Sequence, residues 1–187
     1  MAAYFELFCD LRAPDKRWYL NGPWGVDGRL LDEAFTSGQK YEGPAPVTCA
    51  IGTAGPALEL TMTEELVPIL NDRAAAIFST HIGKDAQLVQ ARVSGFDTTL
   101  WAVNVLAIAD CIDDAKCKEV TRWTAADGDP ARIGKYRKIE GLQIDPARVG
   151  GHAIFRPNGW AVSVIVNDSL ATALKNAGVR CQLTPVS

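Results

Sequence analysis

The pattern of hydrophobic and polar residues between positions 133 and 166 predicts three β-strands joined by turns. The strands are residues 136–144, 152–156 and 160–166, separated by an Asp-Pro and Gly-Gly loop and by a Pro-Asn-Gly turn. Proline drives the preceding residue out of the helical region, glycine adopts positive φ at little cost, and Asn-Gly suits a sharp reversal. Because both faces of residues 160–166 are largely apolar, we predict a β-meander whose last strand is central and covered on both sides.

A pattern of strand, Asn-Asp, alanine-rich helix and strand occurs twice. The first copy spans residues 66–93 and the second residues 162–186, with Asn71-Asp72 and Asn167-Asp168 at corresponding places. Asn or Asp at a helix start accepts a hydrogen bond from a first-turn amide, and alanine has high helix propensity. The two copies therefore predict two strand-helix-strand units, each with a short helix that begins at its Asn or Asp.

Three further segments favour strands. Residues 3–9 are rich in aromatic side chains, which suit a sheet, and residues 47–51 form a short apolar run between loops. Residues 87–93 and 98–109 flank Ser-Gly-Phe-Asp, which predicts a hairpin. An aromatic segment at residues 17–20 is bounded by turn signals, and its Trp18 is expected in the core.

These patterns together predict an α+β fold with a mostly antiparallel β-sheet and a few short helices. The length of 187 residues and the 48% hydrophobic content suffice for a substantial core without a metal or disulfide. We predict a single domain of residues 1–187. In it, an irregular N-terminal lobe, residues 1–60, packs on a sheet core of residues 61–187.

Charge and hydropathy argue against several classes of protein. The net charge of −3 and the pI of about 5.4 argue against general affinity for nucleic acid or anionic membranes. The most apolar run, residues 100–109, is half of the ~20 residues that a membrane-spanning helix needs. Residues 1–20 contain six charged side chains, which leaves no apolar region for a signal peptide. The sequence therefore predicts a cytosolic protein.

The residues suited to catalysis or metal binding form no recognised motif. The five cysteines are odd in number and lack CxxC spacing, so we predict thiols in a reducing compartment rather than disulfides or a zinc site. The two histidines occur without HxxH or HExxH spacing, and the chain contains no GxSxG, GxxxxGK[ST] or GxGxxG. We therefore predict no metal, no cofactor and no catalytic residues.

An acidic stretch at residues 110–129 is the candidate binding segment. It contains six acidic residues against three basic ones, a difference equal to the net charge of the chain. Loops carry recognition residues, and tryptophan is enriched at interface hot spots. The predicted binding residues are Asp110, Asp113, Asp114, Glu119, Trp123, Asp127 and Asp129. The alternatives are acid–base or cation chemistry at the first three carboxylates, and a solvated loop with Trp123 in the core.

Three segments resemble a known family. They are Arg17-Trp18-Tyr19-Leu20 with Gly22-Pro23, the Val103-Asn104-Val105 strand leading to Asp110-Cys111-Ile112-Asp113, and the strand-turn-strand-helix of residues 136–186. Over nearly its full length the chain resembles the eleventh immunity protein family of bacterial polymorphic toxin systems, which is best represented in myxobacteria. It departs from the family pattern at Lys116-Cys117-Lys118, where family members often have serine.

This resemblance implies a cytosolic protein that binds and neutralises a cognate secreted toxin, delivered by cell contact or by type VI secretion. Such a protein protects the producer and its kin in interbacterial competition, and it needs no chemistry of its own. An acidic surface suits this role because many toxins are basic nucleases. The implied partner is the toxin domain, not a nucleic acid or a membrane, and the oligomeric state stays open.

Two other interpretations belong to different functional classes. One is a small enzyme or ligand-binding domain whose pocket is lined by Trp18, Trp101, Trp123 and Trp160. The other is a subunit of a larger assembly, which predicts a large exposed apolar face.

Overall fold

A computed structural model describes residues 3–10 and 18–187 of the chain. Residues 1–2 and 11–17 lie outside this description. The turn predicted after the first strand at residues 12–16, and Arg17 of the family-like segment, are among them.

The described residues form two large β-sheets, a two-stranded ribbon and three α-helices, so the predicted α+β class is confirmed. The helices are α1 (Asp32–Thr36), α2 (Asp72–His81) and α3 (Asp168–Asn176), with 3-10 turns at Ala125–Asp127, Pro130–Arg132 and Pro146–Arg148. The strands are β1 (Tyr4–Cys9), β2 (Tyr19–Trp24), β3 (Val47–Thr53), β4 (Leu60–Met62), β5 (Pro68–Asn71), β6 (Ala86–Val93), β7 (Phe96–Val105), β8 (Ile108–Ala109), β9 (Glu119–Arg122), β10 (Tyr136–Glu140), β11 (Ile154–Pro157), β12 (Ile165–Asn167) and β13 (Cys181–Pro185).

The five-stranded sheet has the order β13-β1-β12-β11-β8 and is antiparallel except where β11 pairs with β8. Strand β12 is its middle strand, as predicted for this segment. Ile165 and Val166 are fully buried and belong to hydrophobic clusters on opposite faces of the sheet. The apolar residues on both faces of this short strand therefore reflect cover on both sides.

The six-stranded sheet has the order β2-β3-β6-β7-β5-β4 and curls until its edges almost meet. Leu20 of β2 bridges to Thr63 just beyond β4, and the Glu64 amide donates to the Leu20 carbonyl at 2.9 Å. Trp18 and Phe35 pack inside this near-barrel, and both are buried. The predicted hairpin of β6 and β7 and the core position of Trp18 are confirmed.

The two predicted strand-helix-strand units are present as β5-α2-β6 and β12-α3-β13. The Asn71 side-chain oxygen accepts the Ala74 amide at 3.0 Å, and the Asn167 oxygen accepts the Leu170 amide at 3.0 Å. Each asparagine thus satisfies one of the amides that a helix start leaves without a partner. Helices α2 and α3 share one hydrophobic cluster with strands of both large sheets, and Phe78 is fully buried in it.

The structure corrects the predicted meander at residues 136–166. Strand β10 pairs with β9, not with β11. Arg137 and Lys138 are exposed on β10, and placing them inside the five-stranded sheet would bury their charges without partners. The predicted last strand is also shorter, because residues 160–164 form a turn after the Asn-Gly reversal.

The N-terminal region, expected as an irregular lobe, contributes β1 to the five-stranded sheet and β2 and β3 to the near-barrel. A third hydrophobic cluster covers part of the outer face of the five-stranded sheet, and it includes Tyr4, Cys111, Ile144 and Phe155. This cluster attaches the ribbon of β9 and β10 to the rest of the protein.

Candidate binding surface

Residues 110–148, here called the ribbon lobe, contain all seven predicted binding residues. In the described part of the chain, β9 and β10 pair only with each other. Arg122 lies opposite Tyr136 where the ribbon leads into its distal loop, residues 123–135. At the base of the lobe the Ile144 amide donates to the Val186 carbonyl at 2.7 Å, which links the lobe to the end of the five-stranded sheet.

Each of the six predicted carboxylates forms an ion pair. The basic partners have side chains that are between 44% and 67% exposed, so these pairs lie at the surface. The pairs are Asp110–Arg148 (3.1 Å), Asp113–Lys116 (2.8 Å), Asp114–Arg122 (2.8 Å), Glu119–Lys138 (2.6 Å), Asp129–Arg132 (3.0 Å) and Asp127–Arg137.

Asp114 accepts hydrogen bonds from both ribbon strands. The Tyr136 hydroxyl donates to one of its oxygens at 2.6 Å and Arg122 donates to the other at 2.8 Å. These two hydrogen bonds, from Tyr136 first and then Arg122, lower the pKa of Asp114. The Arg122 guanidinium also lies 3.9 Å from the centre of the Tyr136 ring. The three side chains therefore form one network that joins β9, β10 and the start of the lobe.

Trp123 lies in the distal loop between two arginines. The guanidinium groups of Arg132 and Arg137 are 5.2 Å and 5.1 Å from its ring centre, a distance at which a cation is attracted to an indole. Trp123 is partly exposed and lies outside the three hydrophobic clusters of the described residues. Ile133 in the same loop is 51% exposed. Trp123 is therefore a surface tryptophan, and its alternative placement in the core is wrong.

The ribbon lobe as a whole is electrically balanced, with eight acidic and eight basic residues. The acidic excess predicted at residues 110–129 is offset by four bases just beyond that window, at residues 132–138. Antiparallel pairing of β9 with β10 brings these bases opposite the acids. The prediction that the seven residues bind a partner stays a prediction. Such binding cannot depend on a surface that carries only negative charge.

The four tryptophans of the alternative pocket do not meet. Trp18 is buried in the near-barrel, Trp101 donates to Asp72 at 2.8 Å beside α2, and Trp123 is in the distal loop. Trp160 lies near Tyr136, with ring centres 6.4 Å apart. The structure therefore offers no common site for the tryptophans.

The described residues show no feature typical of a metal site or of a membrane-spanning helix. Those residues contain no group of three or more His, Cys, Asp or Glu side chains placed to hold a metal ion. No helix in the described part of the chain is both long enough and apolar enough to cross a membrane.

Sequence reasoning missed a cleft beside the ribbon lobe. The cleft has a volume of about 550 Å³ and includes Glu6, Ile139 and Trp160 in its lining. These residues come from β1, β10 and the turn after β11, which are far apart in sequence. The unusual position of a glutamate inside strand β1 was the one available signal.

No protein-family model matches the chain, and no curated protein matches it significantly. The resemblance to the immunity family therefore stays a prediction, which is carried by the residues named above.

Proposed function

We propose that the chain is a cytosolic immunity protein that binds and neutralises a secreted bacterial toxin, with the ribbon lobe as its main contact surface. The observation that carries the proposal is how the lobe is held together. Its strands β9 and β10 contain no buried residue, and seven of its eight carboxylates are in surface ion pairs. The resemblance to immunity proteins supports a toxin as the partner.

The energetics of these contacts support recognition over a stabilising role. An exposed ion pair contributes roughly 0–1 kcal/mol, so β9, β10 and the distal loop add little to the stability of the sheets, whereas the base of the lobe packs in the third hydrophobic cluster. An ordered segment of this length that stabilises so little is more readily explained by what it binds. Its order also reduces the entropy that would be lost when a partner immobilises it.

The residue types in the distal loop and ribbon suit an interface. Tryptophan, tyrosine and arginine are the residues most enriched at hot spots. Trp123, Arg137 and Tyr136 lie within one short segment, and Ile133 adds an exposed apolar side chain. A toxin docked on this loop would bury aromatic and aliphatic area, with the balanced charges at the rim. The toxin would then be inhibited simply by being bound, without any chemistry by the immunity protein.

A loop replacement tests the proposal. Residues 123–135 are replaced by Asn-Gly, because Arg122 and Tyr136 are directly opposite and a two-residue turn closes such a pair. The ligand is a catalytically inactive form of the toxin encoded beside this gene. We expect the variant to keep the wild-type circular dichroism spectrum and to lose at least a hundredfold in affinity.

Single substitutions supply the matched control. Trp123→Ala should speed dissociation from the inactive toxin about tenfold or more, because it removes buried contact area. Val26→Ala removes a side chain that is 65% exposed, far from the lobe in sequence, and should leave the rate unchanged. A loop-replaced protein that still binds like wild type would contradict the assigned surface, and wild-type protein that does not bind the neighbouring toxin would contradict the function.

A further inference from the structure

The cleft beside the ribbon lobe is lined by both polar and apolar side chains. Glu6 and Phe8 from β1 and Gln182 and Thr184 from β13 contribute to its lining from the outer face of the five-stranded sheet. The remaining part of its lining includes Ile139 and Leu142 at the base of the ribbon, and Trp160 and Val162 from the turn after β11.

Glu6 has an unusual position for a carboxylate. It lies in the middle of β1, opposite Ile165 on one side and Thr184 on the other. Glutamate is depleted in strands, and a carboxylate that is withdrawn from water is normally paired with a cation. Here the Ser163 hydroxyl donates to Glu6 Oε1 at 2.5 Å. Of the described residues that line the cleft, Glu6 is the only charged one, so the cleft carries one negative charge that no lining residue balances.

We propose that this cleft binds an arginine side chain presented by the toxin, an inference that rests on the proposed function. The negative charge of the cleft favours a cationic group, and the indole in its lining favours a flat one. A guanidinium pairs with a carboxylate through two parallel hydrogen bonds and stacks on an indole face, whereas a lysine ammonium is a compact, strongly hydrated charge. Glu6 supplies the carboxylate and Trp160 the indole.

The surrounding side chains complete the match. Gln143, Gln182 and Thr184 present amide and hydroxyl groups to the cleft, which can accept the guanidinium N–H groups that Glu6 leaves over. Ile139 and Val162 offer apolar surface to the aliphatic stem of the arginine. Because Ile139 belongs to β10, the cleft and the ribbon lobe form one continuous surface, and one partner can cover both.

A peptide experiment tests the cleft independently of the toxin. The probe is an acetylated and amidated Gly-Arg-Gly peptide, compared with the same peptide carrying citrulline, which has the shape of arginine without its charge. The readout is the indole N–H resonance of Trp160, assigned with a Trp160→Phe variant. We expect the arginine peptide to shift this resonance with saturation in roughly the millimolar range, and the citrulline peptide to leave it unmoved.

Two variants and one control locate the binding group. Glu6→Gln keeps an acceptor for Ser163 and removes the charge, and it should weaken peptide binding about tenfold or more. Thr184→Lys places an ammonium directly across from Glu6 and should block the peptide in the same way. Glu33→Gln changes an exposed carboxylate on α1 and should leave binding unchanged.

Equal binding of the citrulline peptide, or full binding by both the Glu6→Gln and Thr184→Lys proteins, would overturn the cleft assignment. A peptide that fails to shift Trp160 at any concentration would overturn it as well. None of these results bears on the loop-replacement experiment with the inactive toxin, so the cleft and the proposed function fail separately.

Discussion

The near-barrel and the ribbon lobe are both β-structures, but different forces stabilise them. The near-barrel encloses an apolar interior in which Leu20, Phe35 and Leu100 are almost wholly buried. The ribbon strands bury no residue fully, and apart from partial packing of Tyr136 and Ile139 they rely on ion pairs and arginine stacking. Burying one large apolar side chain contributes about 1.5–3 kcal/mol, whereas an exposed ion pair contributes roughly 0–1 kcal/mol. The ribbon strands and the distal loop of the lobe are therefore expected to open locally while the sheets stay folded.

The largest expected difference comes from truncating one aromatic residue in the core between α2 and the sheets and one in the ribbon lobe. Phe78→Ala empties a fully buried position between α2 and the sheets and should lower the free energy of unfolding by about 3–5 kcal/mol. Trp123→Ala, in the distal loop, should change it by less than about 1 kcal/mol. Urea denaturation followed by far-ultraviolet circular dichroism measures both. Similar losses for the two variants would show that the lobe folds as part of the same cooperative unit.

A smaller effect on stability is expected from replacing Arg156, a charged residue that is buried in the protein interior. Its side chain is fully buried, and it donates to the Leu66 carbonyl at 2.9 Å and to the Ala161 carbonyl. Burial lowers the pKa of Arg156 to about 10. Leu66 has a positive φ of 58°, and the bond from Arg156 helps to hold this conformation, which is unfavourable for leucine.

Arg156→Met replaces the charged side chain by an apolar one of similar length. The variant relieves the cost of burying the charge, but it leaves two carbonyl oxygens without their donor, at about 1–3 kcal/mol each. We expect a net loss of about 2 kcal/mol in urea denaturation. An unchanged or higher stability, as occurs when some buried charges are replaced, would show that Arg156 is kept for a reason other than stability.

The parts of the fold that depend on local sequence were predictable. The caps at Asn71 and Asn167 and the hairpin of β6 and β7 each depend on a few adjacent residues, and all are confirmed. The central position of β12 followed from apolar residues on both of its faces. These features need no knowledge of distant partners, because short-range hydrogen bonds and alternation of side chains determine them.

The features that depend on long-range pairing were not predictable. From the sequence, β10 is predicted to lie beside β11. Only its charges, which are complementary to those of β9, favour pairing in the ribbon. The acidic excess at residues 110–129 disappears once the bases at residues 132–138 fold back on it. The cleft at Glu6 requires β1, β13, β10 and the turn after β11 to come together, and no single stretch of sequence contains that information.

Acid should open the ribbon lobe before the sheets unfold, and its effect on the stability of the lobe should be modest. Hydrogen bonds from Tyr136 and Arg122 lower the pKa of Asp114, and a hydrogen bond from Lys118 lowers that of Glu140. In the opened lobe these groups titrate near their ordinary values, about 3.9 for Asp and 4.3 for Glu. The closed lobe therefore binds fewer protons than the open one. Its stabilisation is complete above about pH 5 and is lost as the pH falls through 4 toward the lowered pKa values.

The indole N–H resonance of Trp123 reports on the lobe in such a titration, because fluorescence would sum all five tryptophans, and far-ultraviolet circular dichroism reports on the sheets. We expect the transition of this resonance at a higher pH than the loss of circular dichroism. Asp114→Asn should lower the stability of the lobe by at most about 1 kcal/mol and reduce its acid dependence. High salt should weaken the lobe in wild type, because the ion pairs are exposed. Coincident transitions would argue against separate opening.

The smallest effect concerns the rates at which two cysteines react with a thiol reagent. It involves no change in stability. Cys49 is fully buried in the near-barrel, and burial raises its pKa to about 12. Cys117 lies at the base of the lobe, where its sulfur accepts the Gln143 amide at 3.3 Å. The thiolate is the reactive form, so Cys49 should react with a thiol reagent only after global unfolding, whereas local opening suffices for Cys117. Mass spectrometry of the partly labelled native protein should find Cys117 modified well before Cys49.

The unfolded, unreduced protein provides the accompanying count, for which we expect five reactive thiols. Cys9 and Cys181 make the count informative, because they lie directly opposite each other on β1 and β13. The Val186 amide donates to the Tyr4 carbonyl, which makes Tyr4 and Val186 a hydrogen-bonded pair. The alternation along the ladder then places Cys9 and Cys181 at a non-hydrogen-bonded position, where opposite side chains are closest. A count of three would show one disulfide, for which these two cysteines are the pair that the geometry favours, and it would contradict the prediction of a thiol-only protein in a reducing compartment.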